Sequence, residues 1–191
     1  MTNGIFFLVA GPAGVGKTTL LKRLVAEEKN LVKAISVTTR APRQNEMDGV
    51  DYFFWDEARF MDAVAQGMFL EHAKIHGGAH YGTPAAFVLD KLDAGIDVVK
   101  DIDVQGVDQI AKHPALKGRW TGIFVLPPSQ EELLKRLEGR KSESDTSLSA
   151  RLRSAESELA RAKEFKYTVI NDDVDKAVAR LKEIRHMEHS L

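Results

Sequence analysis

The chain has 191 residues, 43% of them hydrophobic, and a formal net charge of −1. That is enough apolar material for one substantial core at the upper end of a single domain. The near-neutral balance supplies no general drive toward nucleic acid or anionic membrane, so any phosphate affinity has to come from local clusters of Arg and Lys. Cysteine is absent, which excludes disulfides, zinc–thiolate sites and thiol catalysis.

Met1 to Gly4 carry no basic region ahead of a long apolar segment, and the apolar run at 5–10 is too short for a signal or a membrane span, so a soluble cytoplasmic protein is expected. That run, Ile-Phe-Phe-Leu-Val-Ala, reads as a buried strand. Gly11-Pro12-Ala13-Gly14-Val15-Gly16-Lys17-Thr18 follows at once, a complete G-x-x-x-x-G-K-T, and Thr19 then leads into a helical pattern over 17–28. The glycines let consecutive backbone N–H groups turn toward one point, and the N-terminus of the helix adds partial positive charge there. This context predicts a nucleoside triphosphate held on residues 11–19, with Lys17 reaching the β- and γ-phosphates and the Thr18 hydroxyl offered to Mg²⁺.

Further strands are predicted at 33–36, 97–102, 120–126 and 167–170, and helices at 105–112, 130–137, 147–165 and 174–187. Ser129, after Pro127-Pro128, caps the second of those helices. The alternation predicts an α/β fold with a three-layer P-loop NTPase core around a parallel sheet, made of about 1–36 and 96–191. Two stretches interrupt it. About 37–95 has two Gly-rich turns, strand-like Tyr52-Phe53-Phe54 and Met68-Phe69-Leu70-Glu71, and a helical pattern at 56–65, and reads as an inserted lobe packed by Phe53, Phe54 and Trp55. About 138–150 is almost wholly polar and reads as a short, mobile lid.

Arg40 and Arg43 flank Ala41-Pro42, and Tyr52 follows. Guanidinium forks match phosphate oxygens bidentately, so this pattern suits a phosphate monoester, although two arginines alone also describe a solvated basic loop. Asp101 and Asp103 lie at the end of the strand Val98-Val99-Lys100, where ligands of doubly wound sheets collect. A carboxylate there suits Mg²⁺, directly or through water, and Asp103 equally suits a helix cap. The histidines show no metal spacing: His76 and His80 flank a Gly-Gly turn, and His186 and His189 fall on the last helix, where solvent exposure is expected.

The run from Ser36 to Phe53, with Phe69-Leu70-Glu71, Tyr81-Gly82-Thr83, Asp101-Ile102-Asp103-Val104-Gln105-Gly106, Arg136-Leu137-Glu138-Gly139-Arg140 and Arg151-Leu152, resembles the guanylate kinase family in order and spacing from residue 5 to about 184. The resemblance implies ATP as phosphoryl donor with Mg²⁺, and GMP as acceptor. It assigns Ser36, Arg40, Arg43, Glu46, Tyr52, Glu71, Tyr81, Thr83, Asp101 and Asp103 to GMP. Among these, Arg40, Arg43, Tyr52 and Tyr81 take the phosphate, Glu71 reads guanine N1–H and N2–H₂, and Ser36 and Thr83 offer hydroxyls to the O6 side. Thr18 and Asp103 are the implied metal residues. Lys17, Arg40, Arg136, Arg140 and Arg151 are the implied catalytic cations, the last three as lid arginines.

No matched residue reads the 2′-position, which implies use of dGMP. The expected partners are these small molecules, not nucleic acid or membrane, and a homodimer is compatible with the sequence. Three positions depart from the family pattern: Ala13 replaces a serine, Ala79 an asparagine and Lys141 a glycine. The competing readings are a related P-loop kinase of a sugar bisphosphate such as ribose 1,5-bisphosphate, and a non-catalytic guanylate-kinase-like binding module. The intact Lys17, Thr18 and lid arginines speak against the module, and Glu71 with Ser36 and Thr83 speaks against the sugar kinase.

Overall fold

The computed structural model describes residues 3–74, 78–139 and 148–190. Strand β1 (Phe6–Ala10) is buried along its whole length and sends alternate side chains to opposite faces. Phe7 and Val9 join Leu20, Leu21 and Leu24 of helix α1 (Lys17–Glu27) in one apolar cluster, whereas Phe6, Leu8 and Ala10 enter another. A strand covered on both faces needs an unbroken apolar run, which is what residues 5–10 supply.

After α1 come β2 (Leu31–Lys33), β3 (Ser36–Thr38), β4 (Tyr52–Phe54), α2 (Glu57–Ala65), β5 (Phe69–Lys74), β6 (His80–Pro84), α3 (Ala85–Asp93) and β7 (Asp97–Asp101). The chain continues through α4 (Val104–Ala111), β8 (Trp120–Leu126), α5 (Gln130–Gly139), α6 (Leu148–Ala160), β9 (Tyr167–Ile170) and α7 (Val174–Glu188). Five parallel strands form one sheet in the order β2-β7-β1-β8-β9. Helices α1 and α7 cover one face and α3 and α4 the other, so the α/β core has three layers. No described helix is long and apolar enough to cross a membrane.

A second sheet, β4-β3-β6-β5, is mixed, with β3 parallel to β4 and antiparallel to β6. It has its own small core of Val37, Phe60, Ala63 and Phe69, with Phe53 and Trp55 packed against it. Phe60 and Phe69 stack at 4.7 Å between centroids. Phe54 instead lies under the Arg40 guanidinium, 5.9 Å from it.

The single strand expected at 33–36 is two strands in two sheets. Leu31–Lys33 pairs with β7 in the core, the Ala34 N–H bonds the Val99 carbonyl at 2.9 Å, and the chain then crosses to pair Val37 with Gly82 in the lobe. No glycine or proline marks the crossing, so the sequence carries no sign of it. Strand β6 and helix α3 were not expected either. Gly82 and Pro84 resemble turn punctuation, yet Pro84 stands at the N-cap of α3, whose Val88 and Leu92 pack into the core sheet rather than into the lobe. The helix expected at 147–165 ends at Ala160, with a separate turn at Ala162–Glu164. Leu148–Ala150, read as lid, stands in the first turn of α6, and α5 and α6 pack on one another through Leu133, Leu137 and Ala155. Ser129 caps α5 as expected, accepting the Glu132 N–H at 3.1 Å.

The last helix is pinned by a buried acid. Asp97, 1% exposed, accepts the Ile5 N–H at 2.8 Å, Arg185 Nε at 2.6 Å and His189 Nε2 at 2.8 Å. His189 is exposed, as expected, yet its ring reaches Asp97 because the end of α7 passes over the start of β7. Arg185 also bonds Glu28 and the carbonyls of Lys29 and Asn30, which ties α7 to the α1–β2 connection. Asp97→Ala should lower unfolding free energy by about 3 kcal/mol, because it removes one of the two carboxylates that hold a largely buried guanidinium and leaves the Ile5 N–H without its acceptor. His189→Ala, at a partly exposed contact, should cost under about 1 kcal/mol. Urea titration of the two variants checks the order.

Candidate active site

The loop between β1 and α1 bends through three glycines with positive φ: Gly11 at 143°, Gly14 at 81° and Gly16 at 98°. A Cβ on Gly11 would stand 2.5 Å from the Val125 carbonyl oxygen, so both the conformation and the space demand glycine. Val15 inserts its side chain into the core cluster, and its carbonyl accepts Asn171 Nδ2 at 2.7 Å. The cradle is thus braced by β8 and by the residue that follows β9. Lys17 opens α1 and donates to the carbonyls of Gly11 and, at 3.2 Å, Pro12. Ala13, Thr18 and Thr19 are exposed beside it.

Strand β7 runs beside β1 and ends next to this loop, delivering Asp101. Thr18 Oγ1 donates to Asp101 Oδ2 at 3.5 Å. Burial pushes the Asp101 carboxyl up, but the ammonium groups of Lys33 (3.6 Å), Lys100 and Lys17 outweigh it and hold the group below the usual carboxylate range. Asp103 caps α4, its Oδ1 accepting the Gly106 N–H at 2.7 Å. Among the described residues no three acidic, His or Cys side chains gather as a metal cage. The donors that do fit a hard cation are the Thr18 hydroxyl and the anionic Asp101 beside the cradle, with Asp103 close by, an arrangement suited to Mg²⁺ that keeps water and phosphate ligands.

The lobe presents the second half of the site. Arg40 Nε donates to Tyr81 Oη at 3.1 Å, and its terminal nitrogens donate to the Ala41 carbonyl at 2.7 Å and to Glu46 Oε1 at 2.8 Å. Glu46 also accepts the Arg43 N–H at 2.8 Å. Its hydrogen bond holds Arg40 protonated above the ordinary arginine value. Glu46, grouped by sequence with the GMP residues, therefore orients the cation and the loop; a carboxylate aimed at a phosphate would be repelled. Tyr52 stacks edge-on with Tyr81 and under Arg40, and burial pushes its phenol up, so it remains a hydrogen-bond donor. Arg43 is exposed.

Deeper in the same pocket, β5 and β6 place Glu71 opposite Thr83, whose hydroxyl donates to Glu71 Oε1 at 2.5 Å. Both residues are buried. Ser36, at the start of β3, lines the pocket with Glu71, Tyr52, Tyr81, Lys100 and Asp101. The O–H of Thr83 thus points at the carboxylate, not outward to a ligand oxygen as expected. The structure brings Ser36, Tyr52, Glu71, Tyr81 and Asp101 together around one cavity and joins Arg40 to it through Tyr81.

From the third side, α5 carries Arg136 to the cradle: a Cβ on Gly14 would lie 3.8 Å from Arg136 Cβ. Arg136 Nε donates to Glu132 at 3.1 Å. Arg140 and Lys141 lie outside the described residues, and for Arg151 only its backbone place in α6 is described. Four site residues were not expected. Lys33, Lys100 and Asn171 share a detectable signal, a polar side chain within or directly after an apolar strand. Glu158 of α6 has none; burial pushes its carboxyl up, against the Lys17 ammonium and a Ser154 hydroxyl 3.2 Å away.

Comparison with known proteins accords with this geometry. A family model described as guanylate kinase matches residues 5–188. The chain is 44% identical to the guanylate kinase of Caldanaerobacter subterraneus subsp. tengcongensis over 182 residues, 95% of this chain and 86% of that one. The crystal structure of guanylate kinase from Anaplasma phagocytophilum superposes with a TM-score of 0.78 at 29% identity, covering 98% of this chain and 87% of that one. A shikimate kinase from Bacteroides thetaiotaomicron, at 15% identity and a TM-score of 0.51 over 95% of this chain and 98% of that one, shares the fold alone. With a phosphate cradle, a pocket lined by Glu71, Ser36 and the two tyrosines, and a family match along almost its whole length, the chain belongs to the guanylate kinase family.

Proposed function

We propose that the protein transfers the γ-phosphoryl group of ATP to GMP, giving ADP and GDP, and that it also accepts dGMP. The observation that carries this reading is the meeting of two unlike sites at Asp101. The triphosphate cradle of β1–α1 lies on one side, and the Glu71 pocket, with Arg40 and the two tyrosines at its mouth, lies on the other. A carboxylate suits adjacent N1–H and N2–H₂ donors, and a ligand lacking them leaves it unpaired.

In the proposed step a GMP phosphate oxygen attacks the γ-phosphorus in line. A P–O bond forms to that oxygen while the bond to the β–γ bridging oxygen breaks, and ADP leaves with the electron pair. The nucleophile needs no general base, because a phosphate monoester with a second pKa of about 6 is mostly dianionic near neutral pH. Arg40, Tyr52 and Tyr81, with Arg43, position that phosphate. Lys17 and the backbone N–H groups of the cradle neutralise the donor, and Arg136 is placed to add charge beside Gly14. Arg140 and Arg151 are assigned to the same task from their sequence positions. Thr18 and Asp101, with Asp103 in reserve, would hold Mg²⁺, which when bound neutralises β- and γ-phosphate oxygens.

A coupled ADP-release assay with ATP and Mg²⁺, offering GMP, dGMP, AMP, CMP, UMP and ribose 1,5-bisphosphate, tests the whole reading. Turnover confined to GMP and dGMP supports it; turnover with the sugar bisphosphate alone replaces it with the sugar-kinase reading, and none at all favours a binding module. Lys17→Ala should reduce kcat at least 10³-fold while calorimetric GMP affinity stays within about threefold, since the lobe and the cradle are separate. Equal loss of both counts against the assignment. Glu71→Gln, whose amide keeps one acceptor but turns the other position into an N–H₂ donor, should lower kcat/KM for GMP by at least about tenfold and narrow its preference over AMP; an unchanged base preference removes Glu71 from its role.

A further inference from the structure

Lys100, the fourth residue of β7, is assigned no contact with the transferred phosphoryl group and acts on Asp101 only through its charge, yet its ammonium is buried at the base-reading end of the pocket, with 6% of the side chain exposed. Its Nζ lies 2.6 Å from Ser36 Oγ and 3.9 Å from Glu71 Oε1. Burying an ammonium costs several kcal/mol unless charge and hydrogen bonds compensate, so the position calls for an account.

The polarity of the three polar groups follows from their chemistry. An ammonium only donates, so Ser36 Oγ is the acceptor in the 2.6 Å contact, and the Ser36 proton is directed elsewhere. An ionised carboxylate only accepts, so Thr83 gives its proton to Glu71. The two hydroxyls therefore differ: the Ser36 O–H, with one of its oxygen's two lone pairs taken by a cation, is biased toward donating into the pocket, and the Thr83 donor is taken up within the protein. A hydroxyl donor beside a carboxylate acceptor complements a purine that has a carbonyl at C6 and N–H at N1. A purine with an amino group at C6 and a lone pair at N1 meets donor with donor and acceptor with acceptor.

Resting on the GMP reading, we infer that Lys100 is a specificity-determining positioning residue. By donating to Ser36 and facing Glu71, it biases Ser36 toward donating to a 6-oxopurine and thereby disfavours a 6-aminopurine. Without the ammonium, both Ser36 lone pairs are uncommitted and no cation opposes a 6-amino group, so the hydroxyl can turn and accept from it, which weakens one of the two mismatches that exclude adenine.

The test compares kcat and KM for GMP, IMP and AMP in the wild type, Lys100→Met and Lys100→Gln. IMP shares O6 and N1–H with GMP but lacks the 2-amino group. Lys100→Met should raise KM for GMP and IMP by the same factor, about tenfold, leave kcat within about threefold, and shift the AMP-to-GMP ratio of kcat/KM toward AMP by about tenfold or more. Lys100→Gln, whose amide still donates to Ser36 but can also accept from it and carries no charge, should shift the ratio less than Lys100→Met does. An unchanged ratio in Lys100→Met, an equal loss with all three nucleotides, or a Lys100→Gln variant as unselective as Lys100→Met overturns the role.

Should Lys100→Met fail to fold, ¹⁵N-lysine NMR of the wild type decides. A Lys100 ammonium signal protected from exchange, shifted by GMP and IMP but not by AMP, supports the role, and a signal indifferent to GMP overturns it. A wild type that does not prefer GMP to AMP overturns the substrate reading itself, whereas a selective wild type beside an equally selective Lys100→Met overturns only Lys100.

Discussion

The structure depends first on how the loop after β1 is seated. Backbone N–H groups bind phosphate well only if they already point at it, since ordering them at the moment of binding would cost conformational entropy. Here the loop is fixed at several places. Gly11 lies flat against the Val125 carbonyl, the Val15 side chain fills the core, and the Val15 carbonyl is held by Asn171. A Cβ on Gly16 would stand 2.4 Å from that same Asn171 amide. The cradle is therefore a product of three parallel strands, β1, β8 and β9, whose C-terminal ends lie together.

The second organising fact is the division of labour between two sheets. The large core gives the cradle a rigid floor. The lobe has a core of only a few residues around Phe60 and Phe69, so its stability is local and its opening free energy lies below that of the whole domain. The sheets meet where β2 gives way to β3 and where β7 ends, so the chain passes between them beside the pocket. Lys33, Lys100 and Asp101 occupy this seam. Their mutual charges keep Asp101 ionised for a cation on the cradle side, while Lys100 biases hydrogen-bond polarity on the lobe side. One charged cluster thus lies between the cradle and the base-reading end of the pocket.

Where sequence reading fell short, the causes are specific. The crossing at 34–35 is invisible because Leu31 to Thr38 is a continuous strand-like run, and which sheet each half joins is decided by partners far away in the chain, Val99 and Gly82. Strand β6 was obscured because Gly82 and Pro84 serve purposes other than turning: a Cβ on Gly82 would stand 2.8 Å from the Phe69 ring, and Pro84 starts a helix. His189 and Asp97 are 92 residues apart, and no local pattern announces an acid that receives three donors.

What the sequence determined alone was whatever depends on short-range order. The strand–glycine–lysine–helix succession dictates a phosphate cradle, the alternating apolar runs dictate a layered parallel sheet, and the spaced motifs dictate the family. What only the tertiary structure decided was direction and pairing. It set which of Asp101 and Asp103 faces Thr18, it turned Glu46 toward Arg40, it aimed the Thr83 proton at Glu71, and it brought Lys100 to Ser36 from 64 residues away. The reason is physical: a residue's type sets what it can donate or accept, but only the neighbours that folding assembles determine which of those capacities remains for a ligand.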